Sequence, residues 1–132
     1  MLGFDIADDV VVVADFEAGI GTLTRLGDIR VDAVVVVAEP TVKSLEVASR
    51  AAVLATQHTS GPIVVVANRV STAADRSLVE AALPGRTVLV VPDDPAIPAA
   101  DRQDCAPLDA APDSPAVVAL GSLAALLLAR QS

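Results

Sequence analysis

The sequence has no tryptophan, no tyrosine and only 2 phenylalanines, so aromatic stacking on exposed bases is closed to it. Its single cysteine, Cys105, excludes an internal disulfide and a Cys-only metal site within one chain. That usage suits a reducing cytosol, and a cytoplasmic location is expected. There is one histidine, His58, and one lysine, Lys43. Positive charge is scarce: 9 Lys and Arg stand against 17 Asp and Glu, a net charge of −8. A nucleic-acid surface needs the opposite sign, so no nucleic-acid partner is expected. The N-terminus lacks a basic region followed by an apolar core, so no secretory signal is read there. The longest apolar stretch, Ala116 to Ala129, is interrupted by Gly121 and Ser122. It falls short of the roughly 18–20 residues that span a bilayer, and it lacks the basic face of an interfacial anchor. It reads as a core helix, with no membrane partner.

What is present is aliphatic. The chain of 132 residues is 53% hydrophobic, mostly Val, Ala and Leu, enough for one domain with a real core. Val10-Val11-Val12-Val13-Ala14 is apolar on both faces and reads as a strand buried on both sides, the kind found in parallel sheets. It runs into Asp15-Phe16-Glu17-Ala18-Gly19-Ile20-Gly21, followed by a brief helical piece near Thr22 to Leu26 that Gly27-Asp28 ends. In open α/β sheets ligands gather at the carboxyl ends of strands. An acid there, Asp15, can hold Mg²⁺, and Gly19 lets the backbone approach a ligand closely. The alternative is a strand that simply ends in a polar turn.

Asp32 to Ala38 reads as a second buried strand. Thr41 is an N-cap for a helix from Val42 to His58, whose apolar face is Leu45, Ala48, Ala52 and Ala55. Gly61-Pro62 stops it. Ile63 to Ala67 is a third strand, ending at Asn68. Thr72 and Asp75 form a capping-box variant that opens a helix to about Leu83. Thr87 to Val91 is the fourth strand. Pro98 to Pro115 reads as a wrapping loop with a short helix near Ala99 to Asp104. Ser114 caps a last helix with Pro115 at its first position and Val117, Leu120, Ala124 and Leu127 on its buried face. The expected fold is one α/β domain over residues 1–132, a mostly parallel sheet of about four strands with helices on both faces.

Asp15-Phe16-Glu17-Ala18-Gly19, Val65-Val66-Ala67-Asn68-Arg69-Val70 and Val90-Val91-Pro92-Asp93-Asp94-Pro95 occur in this order, the last followed by Ala100-Asp101. Val35-Val36-Val37-Ala38-Glu39-Pro40-Thr41-Val42-Lys43-Ser44-Leu45-Glu46 lies between the first two. With these motifs the chain resembles the C-terminal half of MinD/ParA-type P-loop ATPases, closest to the CooC-like maturation ATPases that insert nickel into carbon monoxide dehydrogenase. The resemblance implies a truncated, Rossmann-like P-loop fold. It implies ATP and Mg²⁺ as ligands, with Asp15 as the acid near the metal and Gly19 sensing the γ-phosphate. It implies that Asn68 reads the adenine edge and that Pro92 and Asp93 flank the base. A side-chain amide offers the donor and acceptor together that an adenine edge requires. The competing reading of Asn68 is a turn residue serving local backbone groups.

The departure from the family is the phosphate loop. No G-x-x-x-x-G-K-[ST] occurs, and the lone lysine lies on the helix after the second strand. Without that nest of N–H groups the chain is expected to bind Mg·ATP very weakly and not to hydrolyse it alone. The Cys-x-Cys pair of CooC-type metal sites is missing too, and Cys105 reads as a loop thiol. His58 reads as a helix-end residue and Asp93-Asp94 as turn acids. A truncated or split gene product, or a domain whose partner half lies elsewhere, is the implied account. The expected partners are a second copy or a partner half-domain, with a client metalloenzyme implied by the resemblance. A non-catalytic interaction module of the same fold is the rival reading. A receiver-like or flavodoxin-like domain fits poorly, because the paired acids and late lysine of a receiver are lacking.

Overall fold

The computed structural model describes residues 10–16 and 27–129. Three strands form one parallel sheet: β1 (Val34–Ala38), β2 (Ile63–Val70) and β3 (Thr87–Pro92), in the spatial order β1-β2-β3. The chain is thus α/β with a small open parallel sheet, which has three strands among the described residues where about four were expected. Val10 to Phe16 forms no strand, and Val10 to Val13 stand 54–86% exposed. An apolar run becomes a buried strand only where a neighbour satisfies its backbone groups and layers cover its faces. Among the described residues, nothing does either for this run.

Parallel neighbours need crossovers, and helices supply them. Helix α1 (Val42–Ala55) joins β1 to β2, and α2 (Ala73–Ala82) joins β2 to β3. The Thr41 side chain accepts from the backbone N–H of Ser44, as expected of an N-cap. Thr72 and Asp75 form a reciprocal capping box. Leu45, Ala48, Ala52 and Ala55 are the buried face of α1. The small size of Ala48 and Ala52 lets the helix pack close over Val36, Ala38, Val65 and Ala67. Val79 and Leu83 extend this core layer, and Ser49 Oγ donates to the carbonyl of Ala82, tying α1 to α2.

The opposite face of the sheet is covered unevenly. After β3 come α3 (Ala96–Arg102), α4 (Pro107–Ala110) and α5 (Pro115–Ala129). Val66, Val91 and Ala116 form a second buried cluster with Leu89, Ile97, Ala119 and Leu123. So α5 lies over β2 and β3 and leaves Val35 and Val37 of β1 exposed. The expected buried face of α5 is corrected: Ala116 and Val117 are buried, whereas Leu120 and Ala124 are exposed. This helix is apolar all round, so its spacing does not say which side turns inward. No helix among the described residues is long and apolar enough to cross a membrane.

The start of the sheet is fixed by backbone contacts. The Val34 N–H donates to the Pro62 carbonyl at 3.0 Å, and the Val31 N–H to the His58 carbonyl at 2.9 Å. His58 is buried with Nδ1 at 3.0 Å from the Ile29 carbonyl, so it anchors the approach to β1.

Candidate functional site

Two hollows bracket the sheet. One, of about 450 Å³, lies at the N-terminal ends of the strands against Asp32, Ser60, Gly61 and Pro62. The other, of about 750 Å³, opens at their C-terminal ends. Its floor is the half-covered sheet face, Val35, Val37 and Val66, with Leu120 and Leu123 of α5 as one wall. Ile97, Pro98 and Pro107 close another side. Asn68, Arg69, Asp93, Asp94 and Asp101 supply its polar groups. The second hollow combines an apolar floor with convergent polar groups, as small-molecule sites do, and it lies where open parallel sheets bind ligands.

A β-bulge shapes the polar rim. In β2 and β3, Ala67 pairs with Val90 and Val70 pairs with Pro92, so β2 carries one extra residue. Arg69 takes it up at φ 58°, a left-handed conformation unusual for a residue with a Cβ. Alternation along β2 puts Val64 and Val66 on the cleft side, and Asn68 continues that row into the cleft lining. The bulge then returns Val70 to the core layer beneath α1 and α2. None of the side-chain hydrogen bonds among the described residues involves the Asn68 amide, and none of their buried side-chain polar atoms lacks a partner.

Arg69 stands between two acids. Its Nη1 is 3.6 Å from Glu39 Oε1, and its Nε is 3.6 Å from Asp93 Oδ1. Glu39 follows β1 and Asp93 follows β3, so the end of the central strand bridges the ends of both neighbours. Both pairs are more than two-fifths exposed.

Asp94 is different from its neighbour. It is buried, and its carboxylate accepts from the N–H groups of Ala116 at 3.0 Å and Ala96 at 2.9 Å. These bonds, the one from Ala116 foremost, hold its pKa below the ordinary 3.8. Asp94 therefore ties the starts of α3 and α5 together.

Of the residues expected to carry function, Asn68, Pro92 and Asp93 line the one cleft; Glu39, expected only as a residue of the solvated surface, stands at its rim. Asp15 is exposed within Val10 to Phe16 and follows no strand. Gly19 lies outside the described residues. No three metal-ligating side chains converge among the described residues. Cys105 is half-buried in the cleft wall. Sequence reasoning missed Arg69 as a rim residue. Its position directly after Asn68 was the available signal. No family model and no curated protein matches this chain.

Proposed function

We propose that this chain is a nucleotide-binding domain fragment akin to MinD/ParA/CooC-like ATPases, taking the adenine end of ATP in the cleft at the strand ends. One observation carries the reading: Asn68, Pro92 and Asp93, separated by more than twenty residues of chain, line the same cleft. Asn68 offers a side-chain amide without a protein partner among the described residues, and the valine and leucine floor suits a planar base. Two hydrogen bonds of about 1 kcal/mol net each, plus burial of the ring, support an affinity in the millimolar range. The roles of Asp15 toward Mg²⁺ and of Gly19 toward the γ-phosphate rest on the resemblance alone. Lacking a phosphate loop, the chain does not hydrolyse ATP by itself.

The test is a titration of the isotope-labelled full chain with adenosine, followed by NMR. The Asn68 side-chain amide and the Asp93 backbone amide should shift together and saturate, and Asn68→Ala should weaken the effect several-fold. Absence of any shift at ten-millimolar adenosine, with about ten times less needed for half-saturation on this reading, would overturn it.

A second reading, an interaction module that pairs with its own copy, is favoured by β1. Among the described residues this strand has a neighbour on one side only, and Val37 is 60% exposed. Its sequence carries no charge, proline or bulge to blunt the edge. Two copies related by a two-fold axis through Val36 would pair antiparallel with both faces in register, Val35 opposite Val37. Sedimentation of the pure chain reads this directly: a monomer at high protein concentration excludes it, and Val37→Pro, which removes an N–H on the free side of β1, should dissolve any dimer.

A further inference from the structure

We infer that this cleft selects an uncharged nucleoside over its phosphorylated forms, a preference that rests on the adenine reading above. The inference comes from where charge and donors are already committed. Arg69 is the only cation lining the cleft among the described residues. Its guanidinium lies 3.6 Å from Glu39 on one side and 3.6 Å from Asp93 on the other. Asp94 and Asp101 line the same cleft, so four carboxylates at or beside the rim stand against one guanidinium.

Backbone donors are committed too. A helix start is the usual place for a phosphate, because its first N–H groups have no partner within the helix. Here the chain fills those places itself at α3 and α5, and in part at α1. Asp94 accepts from the Ala116 N–H at the start of α5 and from the Ala96 N–H at the start of α3. Ser114 Oγ accepts from Val117. At α1, Thr41 Oγ1 accepts from Ser44, and the Thr41 carbonyl accepts from Leu45. The Asp93 N–H donates to Val70, and the Glu39 N–H donates to Ser44 Oγ. A phosphate entering the rim meets carboxylates and finds these donors occupied. A neutral ribose and base meet the apolar floor and the Asn68 amide.

The experiment compares adenosine, AMP and metal-free ATP on the full chain, following the Asn68 side-chain amide by NMR. Adenosine should bind about tenfold more tightly than AMP, with ATP weaker still, since tenfold corresponds to about 1.4 kcal/mol of repulsion. Raising the salt concentration should strengthen AMP binding by screening and leave adenosine unchanged. The double variant Glu39→Gln, Asp93→Asn should free Arg69 and bring AMP to within about threefold of adenosine. AMP binding tighter than adenosine, or AMP affinity that falls with salt, overturns this inference and leaves the adenine reading standing. An unchanged ratio in the double variant overturns the part given to Arg69. Failure of adenosine itself to bind overturns the adenine reading and this inference with it.

Discussion

Gly61→Ala should be among the most damaging small substitutions in this chain. Gly61 sits between α1 and β2, and its N–H donates to Thr59 Oγ1 at 2.9 Å. A Cβ built there overlaps the carbonyl oxygen of Asp32 and lies 3.1 Å from the Asp32 carbonyl carbon. Both are backbone atoms, so no side chain can swing aside. Asp32 lies two residues before β1, and the Val34 N–H bonds the Pro62 carbonyl one residue beyond Gly61. Making room therefore pushes the first turns of β1 and β2 apart. Overpacking of this kind destabilises by about 1–3 kcal/mol. Losing the hydrogen bond from Val34 adds about 1 kcal/mol. The expected loss is about 3 kcal/mol, which at a urea slope of about 1.5 kcal/mol/M lowers the midpoint by about 2 M. Gly121→Ala is the matched control. Gly121 lies inside α5 with no atom within 4 Å of its Cβ position, so alanine there should stabilise by up to about 1 kcal/mol. A midpoint for Gly61→Ala within about 0.3 M of the wild type, with the slope unchanged, would refute the contact between the strand starts.

Thr72→Ala removes the hydroxyl half of the capping box and should lower stability by about 1 kcal/mol in urea. Asn68→Ala should leave the fold intact, with a loss of about 1 kcal/mol or less, because its amide serves no protein partner among the described residues. For Asp94 the folded pKa is lowered, so its stabilisation is fully present above the unfolded value near 3.8 and disappears as pH falls through the folded pKa. Thermal midpoints measured from pH 6 down to pH 2 should accordingly fall less steeply in Asp94→Asn than in the wild type. Arg69→Gly should be about 1 kcal/mol more stable than Arg69→Ala, since both lose the ion pairs and only glycine relieves φ 58°.

The parts legible in the sequence are those whose physics is local. The three- and four-residue spacing of Leu45, Ala48, Ala52 and Ala55 marks the buried face of α1, because a helix repeats at that interval whatever it packs against. Thr41 and Thr72 declare helix starts for the same reason. Val10 to Val13 misleads because an apolar run states that it can be buried and not what will bury it. The phase of α5 was hidden by apolar residues on every side. The short helix α4, Pro107–Ala110, was hidden in a stretch rich in proline and alanine. Asn68, Pro92 and Asp93 could be placed at one end of the sheet because each ends or follows an apolar run, whereas the roles given them came from the resemblance. Which of Asp93 and Asp94 faces outward could not be read, since adjacent acids differ only in which backbone N–H groups the fold brings to them.

The bulge connects fold and site. Val70 is 9% exposed and belongs to the core between the sheet and its two crossover helices. Asn68 lines the cleft on the opposite face. Strict alternation would place residues 68 and 70 on the same face, so both positions can be kept only by inserting a residue between them. Glycine is the natural occupant of a left-handed position, and arginine carries a strain of about 1–2 kcal/mol there. Its two exposed ion pairs return about 0–1 kcal/mol each, which at most offsets that strain and leaves no net gain. The side chain of Arg69 is thus not explained by stability. What it does is hold one guanidinium between the acids that end β1 and β3, setting the charge of the rim at the point where the central strand leaves the sheet.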